Sequence, residues 1–256
     1  MTSLEAIEYI LGREEYGVVV TFVEGPNLGA KAVLDATGEV IAGSIPEQID
    51  EPLTHDAMTL MEHEQHRTVG YEDHQVFIET LAPPQELVIF GAVHIAQSLA
   101  SFGSMMGYRV TVVDSRPAFA TADRFPSADV LVGWPGDVID QIPMDRRTWL
   151  VILSHEKRFE DPLLEAALSS LARYIGTMGS RRTQDLREAR LRAKGFSDEA
   201  IARIHGPVGL DIGAESPQEV AVSILAEMTL VRYGHGTGMS LHGVEGRVHK
   251  QRHEES

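Results

Sequence analysis

The sequence predicts an α/β protein, a Rossmann-like doubly wound parallel sheet preceded by a smaller N-terminal α+β domain. Three observations predict it. From Glu86 onward, apolar runs of strand length alternate with helical stretches, the pattern of a parallel sheet covered on both faces. Ahead of them, β-branched segments are joined by tight-turn residues, as in antiparallel strands. At the start of the alternating pattern, "LVIFGAVHIAQSLASFGSMMGYRVTVVDSRP" at 87–117 reads as strand, glycine, helix and second strand, with Asp114 closing the second strand. That is how a dinucleotide-binding fold begins.

The elements follow in order. Leu4, Ile7 and Leu11 recur at helical spacing and predict a short helix over 3–11. "YGVVVTFVEG" is β-branched and predicts a strand, and "KAVLDATGEVIAGSI" predicts two strands about a Thr37-Gly38 turn. Residues 47–68 carry a weaker, charge-rich helical pattern, and the "HEQH" at 63–66 is expected in that helix as a solvated run. "HQVFIETL" predicts another strand. Pro83 and Pro84 then break the chain, placing domains at 1–82 and 85–233. In the second domain, strands are expected in "ELVIFG", "YRVTVVD", "ADVLVG", "TWLVILS" and "RYIGTMG". Helices are expected over 94–106, 137–141, 161–170, 180–194, 197–205 and 216–232. The last begins "SPQE", where Ser216 can cap, Pro217 suits the first helical position and Glu219 closes a capping box. Residues 234–256 are Gly- and His-rich and read as a mobile, solvated tail carrying four of the eleven histidines.

Composition narrows the function classes. The chain has 256 residues, a formal charge of -16 and no cysteine. The acidic balance, without a basic face, speaks against DNA or RNA as a partner. The missing cysteines remove disulfides, thiolate metal sites and cysteine nucleophiles. Neither a signal peptide nor an apolar run of membrane-spanning length is read, so a cytoplasmic protein without membrane association is expected.

The chemistry-bearing residues gather at predicted strand ends, where open α/β sheets bind ligands. Gly91 supplies the first glycine of a dinucleotide turn and Ala96 suits the third position, but Val93 stands where the second glycine should admit a phosphate. Asp114 suits the carboxylate that receives ribose hydroxyls. His94 opens the following helix, where positive charge is disfavoured, so a neutral imidazole is expected to accept a hydrogen bond, coordinate a metal or simply pack. His155 follows the fourth strand as a base, ligand or structural residue. In "YIGTMGSRRT", Gly179 and Ser180 lead into a helix opened by Arg181 and Arg182. Backbone N–H groups, the helix dipole and two guanidinium groups would converge there on an anion. Arginines serving only the dipole belong at the other end. Arg187, Arg190 and Arg192 read as a solvated face. "HGPVGLDIGAESPQE" adds His205, Asp211 and Glu215 in a Gly-rich loop that could approach a ligand or merely connect. No paired metal-ligand spacing is present.

In order, "PPQELVIFGAVHIA", "YRVTVVDSRPAFATADRFPSAD", "LSHEKRFEDPLLEAAL", "YIGTMGSRRT" and "GPVGLDIGAESPQEVAVSILAE" resemble the xanthine dehydrogenase accessory factors (XdhC/CoxI) from about Leu81 to Glu227. The resemblance is to a divergent paralogue with a shortened N-terminal domain. Val93 replaces a family glycine, and "AGSIPEQI" and "YEDHQ" stand where the family carries cysteine. The resemblance implies a chaperone more than a catalyst: a protein that binds molybdenum cofactor and helps its sulfuration and insertion into a molybdenum hydroxylase apo-enzyme, with a cysteine desulfurase as a further partner. It implies that the cofactor's phosphate-bearing tail meets Ser180, Arg181 and Arg182, with Gly91, His94, Asp114, His155, Gly179, Asp211 and Glu215 on the same edge. The competing readings are an NAD(P)-dependent oxidoreductase, against which Val93 counts, and a non-enzymatic interaction protein with a vestigial pocket. A homodimer is expected, since symmetric dimers are the commonest oligomers.

Overall fold

A computed structural model describes residues 1–154, 156–234 and 236–244. The chain divides into two compact units, Met1–Pro84 and Gln85–Ser256.

The first unit is α+β. Its sheet comprises β1 (Gly17–Glu24), β2 (Lys31–Asp35), β3 (Val40–Gly43), β4 (Arg67–Tyr71) and β5 (His74–Leu81), in the order β3-β2-β1-β5-β4. All pairings are antiparallel. Successive side chains of a strand point to opposite faces, so each face has its own helix. Val18, Val20 and Phe22 of β1 join Ala32 and Leu34 of β2 beneath Leu53, Ala57 and Leu60 of α2 (Asp50–Glu62). Val33 and Ala42 meet Ala6 and Ile10 of α1 (Ser3–Gly12) on the other side. Each fully buried Val, Leu, Ile or Phe side chain among these contributes about 1.5–3 kcal/mol relative to exposure.

Two expectations for this unit need correction. The helical reading of 47–68 ends early, because α2 stops at Glu62 and Arg67–Tyr71 pairs with β5 as a strand. A five-residue strand pattern abutting a helix is hidden by the helical period. "HEQH" therefore lies in the turn after α2 rather than inside it; His63 is the helix cap and Glu64 takes φ 51.

The second unit is the parallel sheet. Its strands are β6 (Glu86–Phe90), β7 (Arg109–Asp114), β8 (Asp129–Val132), β9 (Thr148–Ile152), β10 (Tyr174–Thr177) and β11 (Ile204–His205). They run in the order β11-β10-β9-β6-β7-β8, every neighbouring pair parallel. Counted from β6, this is the doubly wound order 3-2-1-4-5-6 read from the other edge. The central strands are buried throughout, which explains their continuous apolar runs. Leu87 and Ile89 pack with α3 (His94–Met105) and α8 (Pro217–Tyr233) through Leu99, Ile224 and Met228. Val88, Phe90, Leu150 and Ile152 pack with Leu163 and Leu164 of α5 (Lys157–Leu168) and Leu191 of α6 (Arg181–Ala193). Fold class and architecture are those the sequence predicts.

Three boundaries differ from expectation. Helix α5 begins at Lys157, four residues early, and runs through Pro162, because Phe159, Leu163, Leu164 and Ala167 form one buried face. The helix expected over 197–205 is only α7 (Asp198–Ile201); Ile204 and His205 instead add a two-residue strand beside β10. Between β8 and β9 lie a single helical turn, α4 (Pro135–Val138), and a 3-10 turn over Ile139–Gln141. Helix α8 carries the expected capping box and ends at Gly234 with φ 67, a left-handed cap. His235 and residues 245–256, with most of the expected tail, lie outside the described residues. No described helix is long and apolar enough to cross a membrane.

Candidate functional site

The crevice of a doubly wound sheet opens where neighbouring connections leave in opposite directions. Here that point lies between β6 and β9, which are adjacent in the sheet. Gly91 follows β6 with φ +108, and a Cβ there would stand 3.2 Å from the Ser154 backbone nitrogen. Only glycine combines that left-handed backbone with so close an approach. Its N–H donates to the Val113 carbonyl at 2.8 Å, locking the turn onto β7. Val93 is the α3 N-cap without a side-chain cap bond, and it packs partly against the sheet core. His94 is the first residue of α3 and is exposed.

Asp114 is 2% exposed, and its carboxylate is fully engaged. Oδ1 accepts from Arg116 N–H at 2.9 Å and Arg116 Nε at 2.8 Å. Oδ2 accepts from Ala92 N–H and Arg116 Nη2, both at 2.7 Å. Burial opposes the carboxylate charge, but the Arg116 side chain and the two backbone N–H bonds outweigh it and hold the pKa below its ordinary value. Arg116 is a residue that reading from the sequence passes over. Its position two residues after Asp114 is visible in "DSR", although its return onto the carboxylate is not.

Two strands from β6, the chain leaves β10 through Met178 and Gly179 into α6. Gly179 has φ +151, and a Cβ there would meet Thr183 Cβ at 3.1 Å. Ser180 caps the helix, its Oγ accepting from Thr183 N–H at 3.2 Å. Arg181 and Arg182 are exposed in the first turn, and neither pairs with a carboxylate among the described residues. Their first-turn N–H groups have no intrahelical acceptor. The opening of α6 can thus present dipole, N–H groups and two unpaired cations to one anion.

The expectation of a solvated face for Arg187, Arg190 and Arg192 holds only for Arg192, which pairs at the surface with Glu188 and Asp198. Arg187 is 1% exposed. It donates to Glu160 through Nε and Nη2, both at 2.8 Å, and to the Met178 carbonyl at 3.0 Å. Arg190 is half-buried against Glu160 and Asp161. Helical period is the reason: Gln184, Arg187 and Leu191 share the inward face of α6. Arg187 therefore braces the turn that carries Gly179 and Ser180.

At the end of β11, His205 stacks on Tyr174 at 4.6 Å, with Nδ1 3.5 Å from Glu227 Oε1. Glu227 Oε2 also accepts from Tyr174 Oη at 2.5 Å and from Gly209 N–H at 2.9 Å. Burial opposes the Glu227 charge, yet the hydrogen bonds from His205, Tyr174 and Gly209 lower its pKa. His205 thus has a structural place, anchoring the loop to α8. Asp211 and Glu215 lie exposed in that loop; the Glu215 N–H donates to Glu219, part of the α8 cap.

By strand order, Gly91, His94, Asp114, Gly179, Ser180, Arg181, Arg182, Asp211 and Glu215 stand at or after carboxyl ends of the parallel sheet's strands. His155 lies outside the described residues. Among the described residues, direct bonding joins the Gly91 turn and Asp114, through Ala92. The β7 and β10 ends are three strand spacings apart, about 14 Å. No group of three His, Asp or Glu side chains among the described residues could hold a metal ion.

The model of the XdhC Rossmann domain matches residues 87–228. The chain is 32% identical over 161 residues to the uncharacterized protein YqeB of Escherichia coli, covering 61% of this chain and 29% of that one. It is 32% identical over 159 residues to a probable xanthine dehydrogenase subunit of Bacillus subtilis, covering 61% and 46%. It is also 32% identical over 150 residues to the molybdenum cofactor insertion chaperone PaoD of Escherichia coli, covering 59% and 41%. The chain thus spans less than half the length of these relatives. A crystal structure of a xanthine dehydrogenase from Bacillus halodurans superposes with a TM-score of 0.54 at 19% identity, over 94% of this chain and 98% of that one, a likeness of fold.

Proposed function

The chain belongs to the XdhC Rossmann-domain family, and from that premise we infer that it is an accessory protein that binds molybdenum cofactor and passes it to a molybdenum hydroxylase apo-enzyme, without catalysing turnover itself. The observation that carries this reading is the opening of α6. Arg181 and Arg182 stand beside a Ser180 cap with no carboxylate partner among the described residues. Two unpaired guanidinium groups at a helix N-terminus fit the phosphate of the cofactor's tail. The chain's role would be to hold and orient that tail, while the pterin carries the metal. Similarity to a relative named as a molybdenum cofactor insertion chaperone supports the same direction. A cysteine desulfurase would then act as a partner, since this chain has no thiol of its own. The cytoplasmic homodimer expected from the sequence belongs to this proposal. Against an NAD(P)-dependent oxidoreductase stand Val93 at the turn and the saturated carboxylate of Asp114.

Equilibrium dialysis with molybdenum cofactor tests the reading. Wild-type protein is expected to retain it, and Arg181→Ala to weaken retention by about 1.5–3 kcal/mol, the scale of a charge-assisted hydrogen bond. Arg181→Lys should also weaken a bidentate contact. Failure of the wild type to retain cofactor would sink the proposal, and unchanged affinity in Arg181→Ala would remove that arginine from the site.

A further inference from the structure

Asp114 ends β7 where a dinucleotide fold places the carboxylate that receives ribose hydroxyls. A carboxylate accepts about four hydrogen bonds, and here Ala92 N–H and three donors of Arg116 supply four. No acceptor position remains for a ribose diol. The carboxylate side chain is 3% exposed, whereas the Arg116 side chain is 52% exposed. What the end of β7 offers a ligand is therefore the guanidinium. Its Cζ lies 4.2 Å from the centroid of Phe119, and Arg124 Cζ lies 5.5 Å from the same ring. Carboxylate and aromatic ring together hold the group in one orientation, so little rotamer freedom is left to lose on binding. Of its five N–H donors, two face Asp114, through Nε and Nη2, leaving about three for an oxyanion.

We propose that Arg116 is a ligand-binding residue that reads a phosphate ester at the end of β7, where this fold elsewhere reads a ribose diol. The proposal rests on the reading that the carboxyl edge holds an anionic cofactor, and it adds a second anchor about three strand spacings, or 14 Å, from the α6 opening. Glu156 also acts on Arg116 with a charge of the ligand's sign, so the expected selectivity is moderate.

Titration calorimetry of the full chain with adenosine 2′-monophosphate, inorganic pyrophosphate and adenosine tests it. Arg116→Ala should weaken binding of at least one phosphate probe roughly tenfold and leave adenosine unaffected. Dependence with the nucleotide probe marks a phosphorylated nucleoside as the ligand class; dependence with pyrophosphate alone marks a non-nucleoside phosphate tail. The variant keeps the two backbone donors to Asp114, from Ala92 and from residue 116 itself, and Arg116→Gln, neutral but still a donor, should show the same loss. Equal binding of both probes to wild type and variants overturns the proposal. So does binding of neither phosphate probe to the wild type, or adenosine binding tighter than its phosphate. Arg181→Ala should leave the Arg116 dependence intact. Cofactor retention without Arg116 dependence therefore sinks only this inference, and Arg116 dependence without cofactor retention sinks only the accessory reading.

Discussion

Asp114 is a buried carboxylate whose charge is kept by its donors rather than by solvent. Its folded-state pKa is lowered, with burial opposing and Arg116 and Ala92 prevailing. A depressed carboxylate contributes stability above its unfolded value, near 3.9, and loses it as pH falls through the folded value. Acid should therefore destabilise the second unit from about pH 5 downward, in part through this group. In denaturant titrations across pH, Asp114→Asn is expected to be less stable than wild type at neutral pH, with the gap narrowing in acid. A gap that stays constant with pH would show that the ionised form adds nothing. Arg116 stands two residues from Asp114, so their neighbourhood is legible in the sequence. The fold-back of the guanidinium depends on Phe119 and on the approach of Ala92 from another strand connection, and neither can be read locally.

Helix α6 is tied to α5 by the Glu160–Arg187 pair, whose members are 4% and 1% exposed. Removing one partner of such a pair leaves a buried charge and costs about 3–5 kcal/mol, whereas replacing both by apolar groups is often close to neutral. Arg187→Met should lower stability in urea by less than that full amount, because Arg190 still holds Glu160, and Glu160→Leu/Arg187→Met should recover part of it. A single variant costing under about 1 kcal/mol would place the pair among surface bridges. Because Arg187 also holds the Met178 carbonyl, the single variant should loosen the Gly179 turn as well. The caps of α6 and α8 were legible, since Ser180 and the Ser216–Glu219 box are patterns of neighbouring residues. The buried identity of Arg187 was not, because its partner lies 27 residues away on another helix.

Each unit closes its own core: one around Val18, Leu34 and Leu53, the other on the two faces of the parallel sheet. A segment spanning 85–244 is therefore expected to fold alone, with cooperative thermal unfolding by circular dichroism. Non-cooperative melting would show that the parallel sheet needs residues 1–84. The acidic whole, at -16, sets the background against which Arg116, Arg181 and Arg182 would receive an anion; such local cations act within about a Debye length.

By itself, the sequence determined the class of fold, most of its strands and helices, and the caps of α6 and α8. These follow from hydrophobic period, turn residues and caps, which act between near neighbours. Only the tertiary structure decided that Arg67–Tyr71 and Ile204–His205 are strands, since pairing with β5 and β10 creates them. It alone decided that Arg187 is buried, that His205 anchors a loop through Glu227, and that the acceptors of Asp114 are filled. The physical reason is the same in each case: a donor, an acceptor or a strand edge is satisfied by what packs against it, and that partner comes from elsewhere in the chain.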